Sequence, residues 1–86
     1  MDAAANGLAE IDAEMGQLRN SIQERRRTLN LFLRNLRARD SAAAEERIRA
    51  ARENIRHLEE RLQALRAEQQ RRIVDAAIAT RRHQGD

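Results

Sequence analysis

The chain has 86 residues, 41% of them hydrophobic and 36% charged, with one aromatic (Phe32), three glycines, no proline and no cysteine. That composition excludes disulfide-stapled and thiolate-metal proteins. With so few β-branched and aromatic residues it also argues against sheet, and it suits one small domain of long, exposed helices. The net charge is only +3 and all seventeen basic residues are arginine, a bias that fits a GC-rich bacterial genome better than a strong positive field.

Residues 1–7 read as a frayed start, with Asn6-Gly7 a plausible entry to a helix. Met1-Asp2-Ala3 lacks the basic segment and apolar core of a secretory signal, and no apolar run approaches the ~18–20 residues that span a bilayer. A soluble, cytoplasmic protein with no membrane partner is the expectation. From Leu8 onward, Leu8, Ile11, Met15, Leu18, Ile22, Leu29, Phe32 and Leu36 alternate in spacings of three and four, with Arg25 filling the one gap. A seven-residue repeat of this kind is the seam of a coiled-coil helix. It predicts a first helix over about residues 8–38. Gly16 inside it costs about 1 kcal/mol relative to alanine without ending it. Arg25, at a core position, is expected to snorkel and to fix register at some cost in stability.

The phase then breaks. Counting in sevens from Leu36 gives Ala43 and Ala50, yet the next seam reads Ile48, Ala51, Ile55, Leu58, Leu62, Leu65. A joint is predicted at residues 39–42, in Arg39-Asp40-Ser41-Ala42. Asp40 and Ser41 are good N-caps because their side-chain oxygens accept orphan backbone N–H groups. Glu45 and Glu46 are expected in the following first turn, where carboxylates suit the positive end of the helix dipole. Arg34, Arg37 and Arg39 suit the negative end of the first helix. No glycine supplies a left-handed stop, so the rival is one continuous helix that absorbs the shift as a stutter. The second helix is predicted over about residues 42–82, with His83-Gln84-Gly85-Asp86 a frayed end.

Charge favours folding back. Residues 1–24 carry five acids and one arginine, and residues 25–39 carry six arginines and no acid. Residues 40–60 carry six acids and four arginines, and residues 61–86 six arginines and three acids. An antiparallel hairpin sets the first block, net −4, beside the last, net +3, and the +6 block beside the −2 block. Single exposed pairs contribute a few tenths of a kcal/mol, but whole blocks can choose orientation. Two registers satisfy the seam. One pairs Leu36 with Ala44, so that Phe32 faces Ile48 and Ile22 faces Leu58. In it, residues 73–82 extend past the start of the first helix. The other pairs Leu36 with Ala51. The fold class is therefore all-α, a two-helix antiparallel coiled-coil hairpin, expected to assemble into a helical bundle because so small a core commonly needs a partner.

Two segments carry more apolar residues than the seam requires: Leu31, Phe32 and Leu33, and Ile73, Val74 and Ile78 with their neighbouring alanines. These six are the candidate partner-binding residues, because they broaden the apolar face at helical spacing. The candidate phosphate-binding residues are Arg25, Arg26, Arg27, Arg34 and Arg37. Against that reading, successive residues spread around a helix, base-stacking aromatics are missing, and acids interleave in the second helix. His57 and His83 are far apart and no Asp/Glu/His set has metal-site spacing, so no metal or other cofactor is expected. Ser21, Thr28, Ser41 and Thr80 are scattered, Glu45-Glu46 and Glu59-Glu60 sit on solvated faces, and a two-helix rod offers no enclosed pocket. No catalytic residue and no small-molecule substrate are expected. The C-terminal apolar patch with Arg71, Arg72, Arg81 and Arg82 could lie at a membrane interface, but it lacks Trp and Tyr and is alanine-rich, which favours protein packing.

The expected function is a non-enzymatic protein–protein interaction module that self-associates or holds a helix of another protein. The alternative is a nucleic-acid-associated accessory protein using the arginine-rich stretch 25–39. In size and architecture the expected hairpin is similar to small bacterial hairpin adaptors, such as secretion co-chaperones that shield an aggregation-prone helix. The likeness rests on no shared motif, so it implies no residue roles.

Overall fold

The computed structural model describes residues 3–36 and 41–84, with side chains described for residues 7–36 and 41–82. It contains two α-helices, α1 (Ala3–Arg34) and α2 (Ser41–Gln84), packed against each other as an antiparallel hairpin 73 Å long and 17 × 15 Å across. The continuous-helix alternative is thereby excluded.

The heptad seam forms the core. Ile11, Met15 and Ile22 of α1 are buried against Ile55, Leu62 and Leu65 of α2, with Leu18, Leu29 and Leu58 packed around them. Leu65 is the most enclosed side chain, 2% exposed. Leu8, Phe32, Ile48 and Ala51 are half-buried, as seam positions towards the ends of a narrow rod must be. Two helices cannot surround a side chain on all sides, and only three or four residues per layer share the load.

The structure adopts the tighter register, in which residue n of α1 lies across from about residue 80 − n of α2. Arg47 stands over the Phe32 ring at 5.8 Å from its centroid. Near the open end, Gly7 lies beneath the Arg72 guanidinium, where a β-carbon would collide with its tip. Among the described residues two ion pairs cross between the helices, on opposite flanks. Arg26 Nη2 donates to Glu59 Oε1 at 2.8 Å, and Arg61 Nη2 to Glu14 Oε1 at 3.0 Å. Each joins the oppositely charged blocks that the antiparallel arrangement places together. All four side chains are exposed enough for solvent to screen them, so they select register more than they stabilise.

The helix bounds differ from those read in the sequence. Helix α1 starts at Ala3 rather than near residue 8, which leaves less of α2 overhanging the open end. It also stops at Arg34 rather than near residue 38. The stop is local. Asn35 Nδ2 donates to the Leu31 carbonyl at 3.0 Å, and the Asn35 amide is shared between the Leu31 and Phe32 carbonyls at 3.2 Å each. The Leu36 amide then turns in to the Leu33 carbonyl at 3.4 Å, the tightened geometry of a fraying last turn. An asparagine side chain competing for helix carbonyls is a good terminator. Leu36 consequently leaves the seam and is 41% exposed. Its expected partner Ala44 is nonetheless buried. Helix α2 begins at Ser41, and its first turn, Ser41–Ala44, holds no acid, so Glu45 and Glu46 fall one turn later than expected. Arg39 and Asp40 of the expected joint lie outside the described residues.

Candidate interaction surface

Take Leu8, Met15, Ile22 and Leu29 as the a positions of α1, and Ile48, Ile55 and Leu62 as those of α2. The flanking e and g positions then form the two long sides of the rod. The Arg26–Glu59 pair lies on the e side and Glu14–Arg61 on the g side.

The six partner-binding candidates divide by position. Leu31 is 54% exposed on the outer face of α1, and Leu33 lies at an e position, also exposed. Two residues apart on a helix means about 200° around it, so Leu31 and Leu33 do not form one surface. Phe32 is half-buried in the seam beneath Arg47. Ile73, Val74 and Ile78 are all exposed and do lie together. With Ala77 and Arg81 they line a shallow groove of about 330 Å³ on α2. The cause is legible in the repeat. Beyond Leu65 the seam positions of α2 are Gln69, Arg72 and Ala76, so the apolar stripe rotates off the hairpin seam and faces outwards.

The phosphate-binding candidates are dispersed. Arg26 is engaged by Glu59. Arg25, Arg27 and Arg34 make no ion pair among the described residues; Arg27 and Arg34, seven apart, share the outer face of α1, but Arg25 and Arg26 lie about 160° and 100° around the helix from Arg27. Arg37 lies outside the described residues. The imidazole of His57 is exposed between Glu53 and Glu60, with Nε2 3.9 Å and Nδ1 3.8 Å from their carboxylates. The side chain of His83 lies outside the described ones. Among the described residues no three His, Cys, Asp or Glu side chains are grouped to hold a metal ion, and no helix is long and apolar enough to cross a membrane.

One concavity beside the seam does not follow from the apolar repeat. A groove of about 530 Å³ runs along the g side between Ser21 and Phe32. Its floor is Leu29, Phe32 and Ala51; its walls are Ser21, Thr28 and Asn54; Glu24, Arg25 and Arg47 stand at its edges. It exists because the seam runs short of apolar volume. Arg25 occupies a core position across from Ile55 yet is exposed, Leu29 one step further on meets only the small Ala51, and the flanking residue of α2 is the polar Asn54. Thr28 adds nothing to the filling, because its hydroxyl donates back to the Glu24 carbonyl at 3.1 Å. Arg25 therefore rims a groove rather than snorkelling out of a closed core. The groove follows from the register, which sets Leu29 against Ala51 and which the repeat alone left open.

Comparison with known proteins adds no relative: no family model matches the chain, and neither curated proteins nor solved structures give a match.

Proposed function

We propose that this chain is a non-enzymatic protein–protein contact module, a helical hairpin that completes its core by packing against further helices of its own kind or of another protein. One observation carries the reading. The hairpin exposes 7221 Å², whereas a compact monomer of 9.9 kDa exposes about 5200 Å². The excess, about 2000 Å², is more than twice the ~800 Å² that each partner contributes to a standard protein interface. It includes the outward apolar stripe at Ile73, Val74 and Ile78, and Leu31 and Leu33 near the closed end. Shape agrees: the radius of gyration is 20.0 Å against about 12 Å for a compact chain of this length. The short apolar stripe on α2 is the kind of surface by which an adaptor or a small chaperone-like protein holds a helix.

Light scattering beside circular dichroism tests this. Wild-type protein is expected to exceed monomer mass or to bind a partner helix. The Ile73→Glu/Ile78→Glu and Leu31→Glu/Leu33→Glu variants are expected to stay helical while falling in mass or losing that partner. The C-terminal pair should have the larger effect, because its side chains share one surface. A stable wild-type monomer whose partner binding is unchanged in both variants would refute the proposal. Nucleic-acid binding by residues 25–39 has weaker support, since Arg25 and Arg26 lie on other sides of α1 than Arg27 and Arg34, Arg26 is engaged by Glu59, and the chain has a single aromatic residue to stack bases. That reading requires affinity that falls steeply with salt.

A further inference from the structure

The g-side groove differs from the open-end apolar stripe, which has Arg81 alone, in having two arginines on its lining. Arg25 and Arg47 flank a floor of Leu29, Phe32 and Ala51, and neither guanidinium makes an ion pair among the described residues. Glu24 is the one carboxylate on the lining and pairs with neither of them. The surrounding segment, residues 25–39, holds six arginines and no acid, so the field around this end of the rod is positive. We propose that the groove seats an acidic amphipathic helix of another protein, its apolar side chains covering Leu29, Phe32 and Ala51 and its carboxylates pairing with Arg25 and Arg47. The assignment rests on the contact-module reading and names the chemistry of the partner.

Three arguments converge on that occupant. The groove runs along the rod between two helices, so a third helix laid in it completes a bundle layer. An extended segment would instead leave backbone N–H and C=O groups unpaired over an apolar floor. Carboxylates match two arginines that make no ion pair among the described residues, and Arg–carboxylate pairs are strong and directional. A second copy of this chain fits poorly. Its most acidic apolar segment, Glu10-Ile11-Asp12-Ala13-Glu14-Met15, buries Ile11 and Met15 in its own seam. A leucine at position 25 would close the seam and remove the groove. The arginine there keeps the site open at the expense of the hairpin's own packing.

The probe is a fluorescent three-heptad peptide with leucine at a and d and glutamate at e and g, beside its lysine counterpart. Anisotropy with the full chain is expected to show the acidic peptide binding at least tenfold more tightly than the basic one, with affinity falling as salt rises. An Arg25→Gln/Arg47→Gln variant, helical by circular dichroism, should lose about tenfold, and Arg25→Leu should raise the Tm while abolishing binding. Ile73→Glu/Ile78→Glu should bind the peptide as wild type does. Equal affinity for both peptides, no binding, or indifference to Arg25→Gln/Arg47→Gln overturns the assignment. Binding lost only in Ile73→Glu/Ile78→Glu overturns the groove while leaving a helix-contact function intact. A fall in the mass of the protein alone on Arg25→Gln/Arg47→Gln would give the groove to a second copy, and so also overturns it.

Discussion

Replacing Ile55 by aspartate is expected to unfold the hairpin, whereas His57→Ala, two residues away, is expected to change stability by less than ~0.5 kcal/mol. Ile55 is buried at the centre of the α2 seam against α1. Aspartate there loses the apolar contact and sets a carboxylate in a seam where the described residues bury no basic side chain, Arg25 across from it being exposed. Such substitutions commonly exceed ~4 kcal/mol, which is most of the stability of a domain this small. His57 is exposed, and its two glutamate neighbours sit at distances where solvent screens the interaction. Thermal midpoints that fall together in the two variants would show the helical phase to be wrong.

A second large effect separates two leucines of identical chemistry. Leu65→Ala is expected to cost about 2–5 kcal/mol, the range for a truncated core leucine that leaves a cavity. Leu31→Ala, measured in dilute solution, is expected to stay within ~0.5 kcal/mol. Leu65 is 2% exposed and Leu31 54%. Chemical denaturation of both variants reads the difference directly, and equal midpoints would contradict the burial pattern. Because the core has so few buried large side chains, no neighbouring layer can absorb the loss. That small core is also why the hairpin's remaining apolar surface matters to its function.

The repeat revealed most of this core. Ile11, Met15, Ile22, Ile55, Leu62 and Leu65 all follow from spacings of three and four, because a seven-residue period leaves one stripe facing the partner. The break in phase located the turn, and the charge blocks gave its sense. What the repeat could not show were details decided by single side chains. Asn35 ends α1 by hydrogen-bonding to the Leu31 carbonyl, and so removes Leu36 from the seam. Leu33 and Leu31 read as one apolar cluster in sequence, yet a helix turns them to different sides. The groove by Arg25 depends on the small residue that meets Leu29, and two registers were open until the structure placed Ala51 there, with Asn54 on the flank. Ile73, Val74 and Ile78 stood out as surplus apolar residues for a readable reason, since polar residues replace the seam beyond Leu65.

The seam, the groove and the outward stripe all depend on the chain folding back with residue n of α1 across from about residue 80 − n of α2. Spin labels at Ser21 and Asn54, which line the same groove, measure that most directly when labelled chains are diluted in unlabelled protein. Helices in contact lie 8–10 Å apart, so the labels are expected within about 20 Å of each other. Sliding to the other heptad register would add about 10 Å, and a single continuous helix would put the sites about 50 Å apart at 1.5 Å per residue. A dominant distance under about 20 Å is the expected result, and one near 50 Å would contradict the hairpin outright.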